Sequence, residues 1–257
     1  MKKFKKLIPA LCMLLISAVL MGTSTYAWFS MNKKVTVDGM EVSAKTNSRY
    51  LLIGTENNAQ TIIKDNLTTV SPTIAAGYTT TVYPCAFTTT AIAKTGVDQT
   101  GNWVEANSWY TANSKDNDKS NENVENYSPF TIDGTQEKEY MAKYESYLLL
   151  SKASENLTGG TLTVTLHKDA VSEQQNNAAV SVYVVVDGYT LSNNGIIKNA
   201  DGTVSVSNFS LTSVTPVKVT IYVFIDGTDE IVTSKNVNGG MLLVGNIDVQ
   251  FDIESND

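Results

Sequence analysis

Histidine, cysteine and proline are scarce in this chain, and each scarcity closes off a class of protein. One histidine, His167, stands among 257 residues. That is too few for the imidazole sets that hold catalytic zinc, and no H-E-x-x-H stretch occurs. Two cysteines, Cys12 and Cys85, exclude a disulfide-knit scaffold. Cys85 lies in the apolar stretch VYPCAF and reads as a small buried residue. Five prolines leave long stretches free to pair as strands. The chain has no G-x-S-x-G, no phosphate-binding G-x-x-x-x-G-K loop and no G-x-G-x-x-G. Acyl-transfer, nucleotide and hydride chemistry therefore have no local signal. The carboxylates are scattered, which leaves a glycosidase pair unsupported by the sequence. The chain reads as a non-enzyme.

One long apolar run is present, the 16 residues LIPALCMLLISAVLMG. It is shorter than the ~20 residues of a membrane-spanning helix. Four lysines precede it, and Thr25 and Ala27 occupy the small-residue positions of a cut after Ala27. Basic head, apolar centre and small-residue site are the parts of a secretory signal. The expected location is extracellular, secreted to the cell surface, or tethered to the membrane where the segment is retained. Residues 1–27 hold four lysines and no acid, so residues 28–257 carry 15 basic and 26 acidic side chains, net −11. That balance disfavours nucleic acid and anionic lipid as partners. The N-terminal segment is the sole membrane contact expected.

What is abundant is alternation. VSVYVVVDG puts Val180, Val182, Val184 and Val186 on one side, and VKVTIYVFIDG does the same from Val217 to Ile225. TLTVTLH buries Leu162, Val164 and Leu166; NIDVQFDIE buries Ile247, Val249, Phe251 and Ile253. Weaker strand patterns run over 35–44, 49–53, 79–87, 147–151, 203–211 and 231–234. Asp-Gly, Asn-Gly and Gly-Gly turns punctuate them. A short helix is expected in EKEYMAKYESY, where Tyr140, Tyr144 and Tyr147 share a helical face. The predicted fold is all-β, one jelly-roll-like antiparallel β-sandwich over residues 28–257.

Residues 94–128 break the pattern. The stretch is polar and Asn-rich, with little to bury, and is expected as a long mobile insertion loop. Its core offers Asp116, Asp118, Glu122 and Glu125, and the later DGTDE offers Asp226, Asp229 and Glu230. Hard oxygen ligands on flexible loops suit calcium, the one ion the sequence suggests; no other cofactor is implied. Trp103, Trp109 and Tyr110 stand on the shoulder of the insertion, where they either hold it down by packing or stack on a ligand.

The stretch that follows Ala27 begins WFSMNKKVTVDGMEVSA. Val35 and Val37 share one parity and Met40 and Val42 the other, so a half-apolar extended strand is expected, led by Trp28 and Phe29. It either returns as an edge strand of its own sandwich or completes the sheet of a neighbour. Thr25, Ala27, Trp28, Phe29, Asn32, Val35, Gly39 and Val42 are arranged as in the TasA/camelysin-type secreted proteins of Gram-positive bacteria, and the chain's N-terminus resembles theirs. VTIYVFIDGTDE is similar to a segment of related surface proteins. The resemblance implies a jelly-roll β-sandwich, a signal cut by a SipW-type peptidase, and self-association or assembly with related subunits into biofilm-matrix or pilus-like fibres. In that reading Trp28, Phe29, Val35, Val37, Met40 and Val42 form the strand-donation interface. Metalloprotease activity described for some members is not carried over, since no zinc motif is present. A second reading is a monomeric or membrane-tethered surface module that binds a glycan or a protein through Trp103, Trp109 and Tyr110.

Overall fold

A computed structural model describes residues 40–46, 50–94, 100–112, 127–168, 179–198, 200–229, 232, 241–242 and 247–255. In chain order the strands begin with β1 (Met40–Thr46), β2 (Leu51–Gly54), β3 (Thr69–Val70), β4 (Thr81–Val82), β5 (Ala86–Thr88) and β6 (Ile92–Ala93). There follow β7 (Asn102–Val104), β8 (Ser108–Ala112), β9 (Tyr127–Phe130), β10 (Met141–Leu150), β11 (Leu157–Lys168) and β12 (Val180–Val186). The last are β13 (Ile196–Ile197), β14 (Thr203–Leu211), β15 (Val217–Ile225), β16 (Met241–Leu242) and β17 (Ile247–Glu254). A helix, α1 (Ala59–Asp65), lies between β2 and β3.

Two five-stranded sheets form a sandwich. The first has the order β14-β11-β17-β1-β3 and the second β13-β12-β15-β10-β2. Pairing is antiparallel except that β1 runs parallel to β17, with Met40 opposite Ile247 and Thr46 opposite Ile253. The inner faces mesh as one core. Val42, Leu162, Val164, Leu166, Phe209, Val249, Phe251 and Ile253 come from the first sheet, and Leu148, Leu150, Val182, Val184, Val219, Ile221 and Val223 from the second. Alternation places these side chains inward because successive strand residues point to opposite faces.

The two sheets differ on their outer faces. Thr161, Thr163, Thr165 and His167 of β11 stand beside Glu254, Asp252, Gln250 and Asp248 of β17, a half-exposed polar array. The second sheet is covered instead. Strands β5, β8 and β9 pair as a small sheet over it, and α1 covers Leu52 and Leu149 with Ile62. Helix and strand approach closely at Gly54, where a Cβ would stand 2.5 Å from Cγ1 of Ile62. Asn58 caps α1, its Oδ1 accepting from the N–H groups of Gln60 and Thr61, and Asn66 ends it in the left-handed region.

Three expectations are corrected. EKEYMAKYESY is a 3-10 turn, Gln136–Glu139, followed by the ten-residue strand β10. This strand is covered on both faces, Ala142, Leu148 and Leu150 lying in the main core and Met141 and Leu149 beneath the outer layer. Such a strand loses its period-two signal and its tyrosine spacing mimics a helix. The insertion 94–128 contains β7, β8 and the start of β9; residues 95–99 and 113–126 lie outside the described residues. The predicted strand 79–87 is broken around Pro84 into β4 and β5.

Candidate functional site

Strands add to a sheet at its edges, and the rims of the two sheets are built differently. The β14 rim is plugged from the side. Ser205 N–H donates to Oγ of Ser192 (2.9 Å), and the Tyr189 hydroxyl both accepts from Ser210 N–H and donates to its carbonyl (3.1 Å each). In the second sheet β13 spans two residues, and at β2 the Ile53 N–H is taken by the Leu67 carbonyl (2.9 Å). The rim at β1 is different. Its outer neighbour β3 meets it only at Val42 and Ser43, so the register leaves Ala44, Lys45 and Thr46 beyond the pairing.

The predicted interface residues divide here. Met40 and Val42 belong to β1, in register with Ile247 and Val249 of the same chain, and Val42 is fully buried in the sandwich's own core. They are therefore corrected from donated residues to native sheet residues; the parallel pairing with β17 claims them. Trp28, Phe29, Val35, Val37 and the cut site Ala27 lie outside the described residues, as do Asp116, Asp118 and Glu122.

The aromatic group is a packing cluster. Trp109 of β8 is 7% exposed. Its ring lies 5.1 Å from Phe224 edge-on, 5.2 Å from Phe87, 5.4 Å from Tyr183 and 6.3 Å from Phe130. With four rings around it, Trp109 offers no face to a ligand, and its assignment to stacking is corrected to core. Tyr110 meets Tyr127 edge-on at 5.4 Å, and burial raises its hydroxyl pKa. Trp103 is half-buried beneath the Lys94 ammonium, 5.0 Å from its ring centroid.

Beside this cluster sits a buried carboxyl that sequence reasoning missed. Glu137 is fully buried and accepts from the N–H groups of Asp133 (3.2 Å), Gly134 (2.8 Å) and Thr135 (3.1 Å). Tyr78 OH adds a fourth donor at 2.5 Å. Burial and the Glu137 carboxyl hold the Tyr78 hydroxyl well above the ordinary tyrosine range. The arrangement ties the loop before β4 to the turn before β10, a structural duty. The signal lay in T-I-D-G-T-Q-E, an Asp-Gly turn followed three residues later by Glu.

The turn Asp226-Gly227-Thr228-Asp229 closes the end of β15. Asp226 is 5% exposed; its Oδ1 accepts from Thr228 N–H (3.0 Å) and Oγ–H (2.6 Å), and its Oδ2 meets Lys198 Nζ at 2.6 Å. Three of its acceptor sites thus meet protein donors. Cys85 pairs across the bridge with Asp226 and is buried; desolvation pushes its thiol pKa well up, the inert kind of cysteine. His167 Nδ1 lies 2.8 Å from Oδ1 of Asp201 at the solvent-facing end of β11.

No family model, no curated protein and no solved structure matches the chain.

Proposed function

We propose that the protein is a secreted cell-surface structural subunit that joins a biofilm-matrix or pilus-like fibre by donating residues 28–39 to a neighbouring copy. The observation that supports this reading is the β1 rim: the leading segment precedes β1, whose outer side is paired, among the described residues, at Val42 and Ser43 only. A strand added beside Ala44–Thr46 extends a sheet whose opposite rim, β14, is already plugged. Twelve extended residues reach about 40 Å, enough to leave one sandwich and lie along the next. Trp28 and Phe29 then serve as anchors, each worth roughly 1.5–3 kcal/mol when buried. The resemblance of the N-terminus to TasA/camelysin-type proteins supports the same role and implies a SipW-type peptidase and related fibre subunits as partners.

Electron microscopy and light scattering on two purified chains test it, one beginning at Trp28 and one at Gly39. The longer chain forms filaments and the shorter stays monomeric. Two monomers at high concentration, with and without calcium, defeat the reading.

A further inference from the structure

The ion pair Lys198–Asp226 is built unlike those of Glu145. Glu145 is 30% exposed, and both its lysines, Lys143 and Lys218, approach the same oxygen, Oε1, at 2.8 and 2.9 Å. In Asp226 the two oxygens are separated by task. Oδ1 faces two donors from Thr228, while Oδ2 faces the lysine amine at 2.6 Å. The carboxyl is 7% exposed against 43% for the lysine side chain, so the acid is withdrawn from water while the amine keeps one side open to it. The lysine is held from behind as well: Lys168 Nζ donates to the Lys198 carbonyl at 2.8 Å and also to the Val180 carbonyl, pinning the backbone from which the amine reaches out.

From this geometry we propose that Lys198 and Asp226 condense into an intramolecular isopeptide bond. The chemistry is that of acyl transfer to an amine. Nζ first passes a proton to Oδ2; the lone pair so freed bonds to Cγ, negative charge grows on Oδ1 where the Thr228 N–H and Oγ–H stand ready to stabilise it, and the Cγ–Oδ2 bond breaks as Oδ2 takes a second proton from Nζ. An ammonium and a carboxylate together contain an amide and one water: Nζ surrenders two protons, Oδ2 leaves with them as water, and the net charge of the pair is unchanged. No oxidant or co-reactant is needed. Condensation against water requires a high local concentration of the amine, and groups held in contact reach effective molarities of about 10⁵–10⁸ M. The open side of Lys198 gives the departing water an exit.

The bond links two distant parts of one sheet. Lys198 directly follows β13, the two-residue rim strand, and Asp226 directly follows β15, the central strand. Their connection ties the rim to the centre covalently, independently of whether the chain assembles.

Mass spectrometry of the purified full chain tests the proposal without any variant having to fold. The expected result is a chain lighter than its sequence by one water, with a branched tryptic peptide joining the Lys198 and Asp226 segments and no cleavage after Lys198. The Lys198→Arg chain restores the full mass. A wild-type chain of full sequence mass overturns the proposal. So does a one-water loss that persists in Lys198→Arg, which instead marks a succinimide at Asp226-Gly227.

Discussion

Replacing Trp109 with alanine separates the packing role of the aromatic cluster from a ligand-binding one. The indole is 7% exposed and has four ring neighbours between 5.1 and 6.3 Å. Truncating a buried Trp costs about 3–5 kcal/mol from lost transfer energy and the cavity left behind. Each well-placed aromatic pair adds about 0.5–1.5 kcal/mol beyond area, so the upper part of that range is expected here. For a chain of this size the loss lowers the melting temperature by roughly 6–20 °C. Urea unfolding followed by circular dichroism and by fluorescence measures it, the two probes checking that one transition is observed. A loss below about 1 kcal/mol refutes the packing account, since a tryptophan kept for a ligand is removed at small cost to the free protein.

Ser146 of β10 is fully buried and its Oγ has no hydrogen-bond partner among the described residues, so Ser146→Ala is expected to raise stability by about 1–2 kcal/mol, read as a higher urea midpoint at unchanged slope. Tyr78→Phe removes the hydroxyl donor to Glu137 and is expected to cost about 1.5–3 kcal/mol by the same assay. Tyr222 has its pKa pushed up to about 12, chiefly by burial and then by the charge of Glu137. A raised value means the protonated form is favoured in the fold, so its contribution is intact below the ordinary tyrosine value of 10.0 and is lost as pH climbs towards 12. Stability measured from pH 9 upwards should fall across that window, and less steeply in Tyr222→Phe.

The long strands of the first sheet were legible because one face of each is polar. The inward residues of β11, β12 and β17 follow the alternation residue for residue, and β14 occupies the predicted span 203–211. Legibility failed where that asymmetry disappears. In β10 both faces are covered, so Met141 and Leu149 on one side and Leu148 and Leu150 on the other blur the period. Helix α1 has seven residues, too short for a helical stripe, and only Asn58 before Ala59 marks it. Strands β8 and β9 are hidden in an Asn-rich stretch, although Trp109 and Phe130 are the anchors that hold them down. The candidate edge was half-legible. An extended start to the domain was read from parity, whereas the parallel seat of β1 beside β17 depends on the far end of the chain and no local pattern encodes it.

Residue-resolved hydrogen exchange across Ala44–Thr46, compared between concentrated and dilute protein, tests the assembly account most directly. Amides of this stretch that point away from β17 should slow markedly in the concentrated sample, and should not do so in a chain lacking residues 28–38. Equal exchange in both samples, with filaments present, would contradict donation at this rim and place the contact elsewhere.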